Sequence, residues 1–376
     1  MDEIQGRPIR PSANTSPVED LKDWSNAMNS GLTVLSESDK SFGLIRSLLI
    51  VARQGIKWSP FQILGELWRL FTNIDLRRKI VSLVRLQPFD GIVQHNPGLA
   101  LKYVVPNYLA RGFTLTERAA CFLHHYSRMH VCLPERVLSE ILQGYTTLHE
   151  VIQGDNHFAI TLGLPTPPFD REGELFLGLR VNDGVIFNLC FTIIPGWVVR
   201  SKTAEILLIT RLQGAKGCNS QIRLARHAFC DYSPRGPLLA ALQGIANAFG
   251  ICEVEAVCAT NQRFYRKESD ALLRRGYDDF FTHLGMVKTA AGFYSSPVPI
   301  EGKPLALFKG RYRSRARKRR AMRQQIQLAC ATFLKGVTNQ AALSSSVAAN
   351  PNPVRIAAES SPSGISCQES GYNPAP

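Results

Sequence analysis

Apolar positions in this chain change their period near the middle, and the change divides it into two kinds of structure. From Phe42 to Leu142 they recur at helical spacing. In Phe61-Gln-Ile-Leu-Gly-Glu-Leu-Trp-Arg-Leu-Phe71, residues Ile63, Leu64, Leu67, Trp68 and Phe71 fall three or four apart, so one stripe faces inward. Pro60 after Ser59 marks the start of that helix. A second helix is expected over Thr116 to Met129, opened by Thr114-Leu-Thr-Glu117 in capping-box spacing and burying Ala120, Leu123 and Tyr126.

From Glu174 onward the pattern is that of strands. Glu174 to Arg180 and Val185 to Ile193 form a hairpin through Asn182-Asp183-Gly184, residues that tolerate positive φ. Ala204 to Leu212 predicts a third strand that runs into Gln213-Gly214-Ala215-Lys216-Gly217. An amphipathic helix follows over Pro237 to Phe249, with Leu238, Leu242, Ile245 and Phe249 on one stripe and Gly250 as its stop. Glu253 to Ala259 is the next strand, and its alternation puts Glu253 and Glu255 on one face.

Strand, turn, helix and strand in this order predict an α/β (α+β) fold: a helical N-terminal half, a mixed sheet-and-helix unit of GNAT-like order, and a basic C-terminal helix. The expected divisions are a disordered 1–40, a helical 41–150, an α/β unit over 151–310, a basic helix over 311–335 and a disordered tail over 336–376. With 45% hydrophobic and 20% charged residues the composition is that of an ordinary globular protein. Nine scattered cysteines give no CxxC pair and read as reduced, mostly buried thiols. The start Met1-Asp-Glu-Ile-Gln lacks the features of a signal peptide, and the run Ser47 to Ala52 is far too short to span a bilayer. A cytoplasmic location, peripheral to the inner membrane at most, is therefore expected.

His125-Tyr126, Glu172-Gly173, Leu212-Gln213-Gly214, Pro237-Leu-Leu239, Tyr277-Asp278-Asp279-Phe280-Phe281 and Gly292-Phe293-Tyr294-Ser-Ser-Pro297 together resemble the VirK-like family of bacterial proteins, whose biochemical function is unknown. The resemblance covers roughly Gly43 to Arg323. It implies a bacterial cytoplasmic protein that supports envelope integrity, virulence and tolerance of host antimicrobial peptides, and it implies no reaction. Gly285-Met286 stands where a Gly-Gly pair is expected, which puts a tight turn there in question.

Two kinds of chemistry are open. The first is an acyltransferase-like site. A strand ending in a glycine turn that opens a helix can hold the pyrophosphate of an acyl-CoA on free backbone N–H groups. Arg211, Gln213, Gly214, Lys216 and Gly217 follow that logic, with two glycines for close approach and two cations for charge. Such a site needs a base, for which Glu253 and Glu255 are candidates, and an acid for the leaving thiolate, for which Tyr265 and Tyr277 are candidates. The competing reading gives the glutamates to surface solubility and Tyr277 to the core.

The second is a non-catalytic basic adaptor. Arg311, Arg313, Arg315, Arg317, Lys318, Arg319, Arg320 and Arg323 form a run without an acid, and without them the net charge of +14 would fall to +6. Such a surface attracts anionic lipid headgroups or RNA phosphates, with affinity that falls as salt rises. Tyr312 alone interleaves the run as a stacking partner, whereas Ile326, Leu328, Ala329, Phe333 and Leu334 follow as an apolar stretch, which favours lipid. A solvated helix packed on the domain is the plain alternative. Cys121 and His125 have i, i+4 spacing, but the rest of a ligand set is missing and no metal is expected. The signatures of serine hydrolases, P-loop NTPases and zincins are absent.

Overall fold

The computed structural model describes residues 74–348 apart from 85, 87–88, 90–98 and 167–168. The expected helix Phe61 to Phe71 lies outside the described residues, as do 1–40 and 349–376. An α-helix, α1 (Ile74–Val84), and a 3-10 turn (Leu99–Val104) precede α2 (Leu115–Cys132) and α3 (Glu135–Gln143). The capping box forms as expected: the Glu117 N–H donates to Thr114 Oγ1 at 3.2 Å, and the Thr114 N–H donates to Glu117 Oε2 at 2.7 Å.

A single eight-stranded sheet follows, in the order β1-β2-β3-β4-β5-β6-β8-β7. Its strands are β1 (Tyr145–Gln153), β2 (Asn156–Gly163), β3 (Leu175–Val181), β4 (Gly184–Pro195), β5 (Glu205–Gly214), β6 (Glu253–Val257), β7 (Val287–Lys288) and β8 (Phe293–Pro297). The first five are antiparallel neighbours, β5 and β6 run parallel, and β6, β8 and β7 are again antiparallel. The parallel pair requires a crossover, supplied by α4 (Asn219–Ala228) and α5 (Arg235–Phe249). Two short helices, α6 (Asp270–Gly276) and α7 (Asp278–His283), lead into the last hairpin, and α8 (Gly310–Ala348) closes the described chain.

The α/β class expected from the sequence is the one observed. The hairpin between β3 and β4 turns at Asn182, in the left-handed region at φ 52°, and its side-chain oxygen accepts from the His157 N–H at 3.0 Å. The hairpin of β1 and β2 was not anticipated, because His149, Glu150, Asn156 and His157 dilute its apolar alternation. In β4, residues Ile186 to Ile194 are buried without alternation, so helices cover both faces. α2 packs on β4, and α5 packs on β2, β3 and β4 and on α8.

The contact between α5 and α8 depends on Gly244, where a Cβ would stand 2.5 Å from the Gln327 carbonyl oxygen. On α8, Ile326, Cys330 and Leu334 are buried at intervals of four, so the apolar stretch after the arginines faces the domain, although Leu328 remains 69% exposed. The turn at Gly285-Met286 does form. The Met286 N–H donates to the Phe281 carbonyl and the Gly285 N–H to that of Thr282, at 3.1 and 3.0 Å, with Gly285 at φ 83° and Met286 buried. This is a Schellman ending in which only the first of the two positions needs glycine.

Candidate functional site

β5 is the strand on which the candidate chemistry converges. On one side it pairs with β4, and the register jumps from Ile209–Phe191 to Arg211–Cys190, so Thr210 is a bulge residue. On the other side it pairs with β6 only over Leu207–Ile209 against Val254–Ala256. Beyond Ile209 β5 continues to Gly214, whereas β6 ends at Val257, and the parallel strands part. At that parting Tyr277, between α6 and α7, is buried, and its hydroxyl oxygen accepts from the Leu212 N–H at 3.4 Å. Burial pushes the Tyr277 phenol up to about 12, so it keeps its proton at neutral pH.

The glycine turn follows directly. Gly217 adopts φ 82° with open space where a Cβ would stand, and Gly214 packs so closely that a Cβ would meet Phe187 and Ile222 at 3.3 Å. Lys216 is exposed, and α4 starts with Cys218 as an N-cap that makes no side-chain capping bond. The first-turn N–H groups of α4 lack intrahelical acceptors, as in every helix. From Gln213 to Cys230 the sequence holds no acid, and Lys216, Arg223 and Arg226 are exposed on it.

Arg211 takes no part in that surface. It turns inward, where Nη1 donates to Glu172 Oε2 at 2.6 Å and Nε to Asn188 Oδ1 at 2.9 Å, with the guanidinium 4.0 Å from the centre of the Phe169 ring. The charge expected of it at the turn is thus committed to a buried ion pair. Burial raises the Glu172 carboxyl above the ordinary value despite Arg211, and its Oε1 is buried without a partner among the described residues. Nearby, burial and then Arg171 bring Arg263 down to about 10, against the pull of Glu172 and Asp170.

Glu255 is 1% exposed, and its Oε2 lacks a partner among the described residues. Burial, with Glu253 adding to it, pushes its carboxyl up to about 8. Glu253, in contrast, accepts from the hydroxyls of Ser201 and Ser295 at 2.5 Å and of Thr203 at 3.0 Å. Tyr265 lies apart: its hydroxyl donates to Asp270 at 3.1 Å, a bond that raises its pKa, and the Arg111 guanidinium covers its ring at 5.5 Å.

Residues 67–332 match DUF535, a family of proteins of unknown function. The chain belongs to this family. DUF535 is the VirK-like family, and Glu172, Leu212-Gln213-Gly214 and Tyr277, scattered through the sequence, lie together here at the parting of β5 and β6. No curated protein and no solved structure matches the chain.

A second buried network stands behind this region of the VirK-like fold. Glu174, fully buried, accepts from Lys102 Nζ at 3.1 Å, from the Tyr108 hydroxyl at 2.7 Å and from the Tyr126 hydroxyl. Burial and this carboxylate push both phenols well above their usual value. His125 Nδ1 accepts from the Ile193 N–H at 3.1 Å, which places its proton on Nε2, and burial holds it well below the ordinary histidine value. Cys121 is a buried thiol, and among the described residues no cluster of histidine, cysteine and carboxylate suits a metal ion. No helix among the described residues is long and apolar enough to cross a membrane.

Glu172, Asn188 and Arg263 were missed as site residues by sequence reasoning. Only the place of Glu172 in a family motif pointed to it, since its partner lies 39 positions away.

Proposed function

We propose that this chain binds a coenzyme A-type thioester and transfers its acyl group to an amine or hydroxyl acceptor. The observation that carries the reading is the parting of the parallel strands β5 and β6 beyond Ile209 and Ala256, directly before the glycine turn at Gly214 to Gly217. The strand order, the single parallel pair among the described strands and the bulge at Thr210 resemble the GNAT sheet, in which such a gap admits the cofactor's arm.

The residues present fit a pyrophosphate. Gly217 leaves open space, Lys216 is exposed, α4 offers its first-turn N–H groups, and no acid opposes them from Gln213 to Cys230. Bound there, the thioester would supply an activated acyl carbon. Tyr277 holds a proton at the parting and gives it to the departing thiolate sulfur as the carbon–sulfur bond breaks. Glu255, once ionised, takes the proton of the acceptor nitrogen or oxygen as the new acyl bond forms. With its carboxyl at about 8, transfer rises with pH up to that value. The role in envelope integrity and peptide tolerance, and the cytoplasmic location, that the VirK-like resemblance implies belong to this proposal.

Thermal-shift and calorimetric titration with acetyl-CoA, longer acyl-CoAs and free CoA, at two salt concentrations, tests it. Saturable stabilisation is expected. It should vanish in Gly214→Val and Lys216→Gln and persist in Arg311→Gln/Arg317→Gln. No stabilisation by any of these ligands sinks the reading.

A further inference from the structure

The N-terminal half of α8 does not present its arginines evenly to solvent. Arg315, Arg319, Arg320 and Arg323 turn towards the segment after β8 and, with Lys303, line a pocket of about 310 Å³. Its remaining wall includes Tyr232, Phe308 and Tyr312. Among the described residues no acid lines it, and one carboxylate, Asp231, stands 3.7 Å from Arg315 Nε.

Backbone carbonyls aim the guanidinium groups. Arg319 donates to the carbonyls of Asp231 at 2.6 Å and Cys230 at 3.5 Å, Arg320 to that of Lys303, and Arg323 Nη1 to that of Ile300 at 3.2 Å. Each of these uses one or two of five donors, so most remain available to a ligand. Arg323 Nε is buried and has no acceptor among the described residues. Five cations held together against one carboxylate repel one another, and a polyvalent anion relieves that repulsion. Planar donor forks suit the oxygens of a phosphate.

We infer that this pocket binds a phosphate-bearing group with a terminal phosphomonoester or a diphosphate, as carried by an anionic lipid headgroup or a small phosphorylated metabolite. The volume suits a headgroup and not a duplex. Tyr312, 55% exposed, is the one aromatic wall residue that ranks among the exposed large apolar side chains, so serial stacking of RNA bases is poorly served. Leu307, 70% exposed beside Phe308, gives the rim an apolar neighbour for lipid chains.

The site is independent of the acyl-transfer reading. The test uses vesicles of phosphatidylcholine containing either phosphatidic acid or, at matched charge, phosphatidylserine, with inorganic pyrophosphate as the soluble probe. Lys303→Gln/Arg315→Gln removes two exposed cations of the pocket. Arg311→Gln/Arg317→Gln removes two from the same helix outside it. Circular dichroism checks that both fold, and Arg320→Gln serves as a further pocket variant.

Phosphatidic acid should bind more tightly than phosphatidylserine. Its affinity should fall about tenfold or more in the pocket pair and less than about threefold in the control pair, since a directed charge contact is worth more than a screened one. Lys216→Gln should leave it unchanged. Pyrophosphate that displaces the vesicles shows that the phosphate group suffices and favours a soluble ligand; pyrophosphate that does not favours a lipid. Equal losses in the two pairs, equal binding of the two lipids, or no binding of vesicles or pyrophosphate overturns the pocket. Retention of single-stranded RNA lost equally in both pairs would replace it with a diffuse polyanion surface.

Discussion

Arginine and lysine side chains serve opposite ends in two regions of this protein. Behind β3 and β4 two buried cations meet their match: Lys102 is bonded to Glu174, and Arg211 to Glu172 and Asn188. At the start of α8 four arginines, with Lys303 from the preceding segment, meet a single carboxylate among the described residues, and their spare donors point into a pocket. Charge that is buried and compensated fixes the structure, because removing either partner strands the other in a low-dielectric interior. Charge that is held in place but uncompensated is available to a ligand. Arg211, one strand position from the site residues, shows that an arginine near a glycine turn need not serve it.

That contrast is broken most severely at Glu174. Glu174→Gln leaves Lys102 buried without its counter-charge and should cost about 3–5 kcal/mol in denaturant unfolding. Adding Lys102→Met should recover part of the loss, a coupling that a double-mutant cycle measures. A loss below about 1 kcal/mol would show that the network is no more than ordinary surface charge.

Glu255 gives the next largest effect, of opposite sign. Its folded-state pKa of about 8 lies above its unfolded value near 4.5, so the fold favours the protonated form. That preference is fully present below pH 4.5 and is lost progressively as pH rises towards 8. Glu255→Gln should therefore stabilise the protein by up to about 3 kcal/mol at pH 7 and by little at pH 4.5, while abolishing the acyl transfer proposed above. A gain that does not vary with pH would remove the titration from Glu255.

Gly244→Val drives a side chain into the Gln327 carbonyl and Cys330, and should lower stability by about 1–3 kcal/mol as α8 lifts from α5. Vesicle binding should weaken with it, since the pocket arginines ride on the same helix. Unchanged melting would mean that the two helices are not locked together.

The smallest effect belongs to the pocket itself. Lys303→Gln/Arg315→Gln should change melting stability by less than about 0.5 kcal/mol, since exposed charges contribute little and their mutual repulsion is relieved. A large loss would make these cations structural and erase the distinction between the two regions.

Local rules made much of the fold legible. The capping box at Thr114, the turn at Asn182 and the stop at Gly250 each depend on a few neighbouring residues, and all three formed where expected. The hairpin of β1 and β2 was hidden because polar residues interrupt its alternation, and its pairing with β3 supplies what the pattern lacks. Among the site residues, Tyr277 and the glycine turn were legible as types. Their meeting at the end of β5 was not, because 65 positions separate Leu212 from Tyr277.

By itself the sequence determined the class of the fold, the strand-to-turn junction at Gln213 to Gly217 and the concentration of charge in the arginine run, all properties of adjacent residues. Tertiary structure decided what each charge does. It turned Arg211 into the core and Arg319, Arg320 and Arg323 towards Lys303, and it raised Glu255 while saturating Glu253. The physical reason is that burial and partnership set the energy of an ionisable group, and both depend on residues brought together from distant parts of the chain.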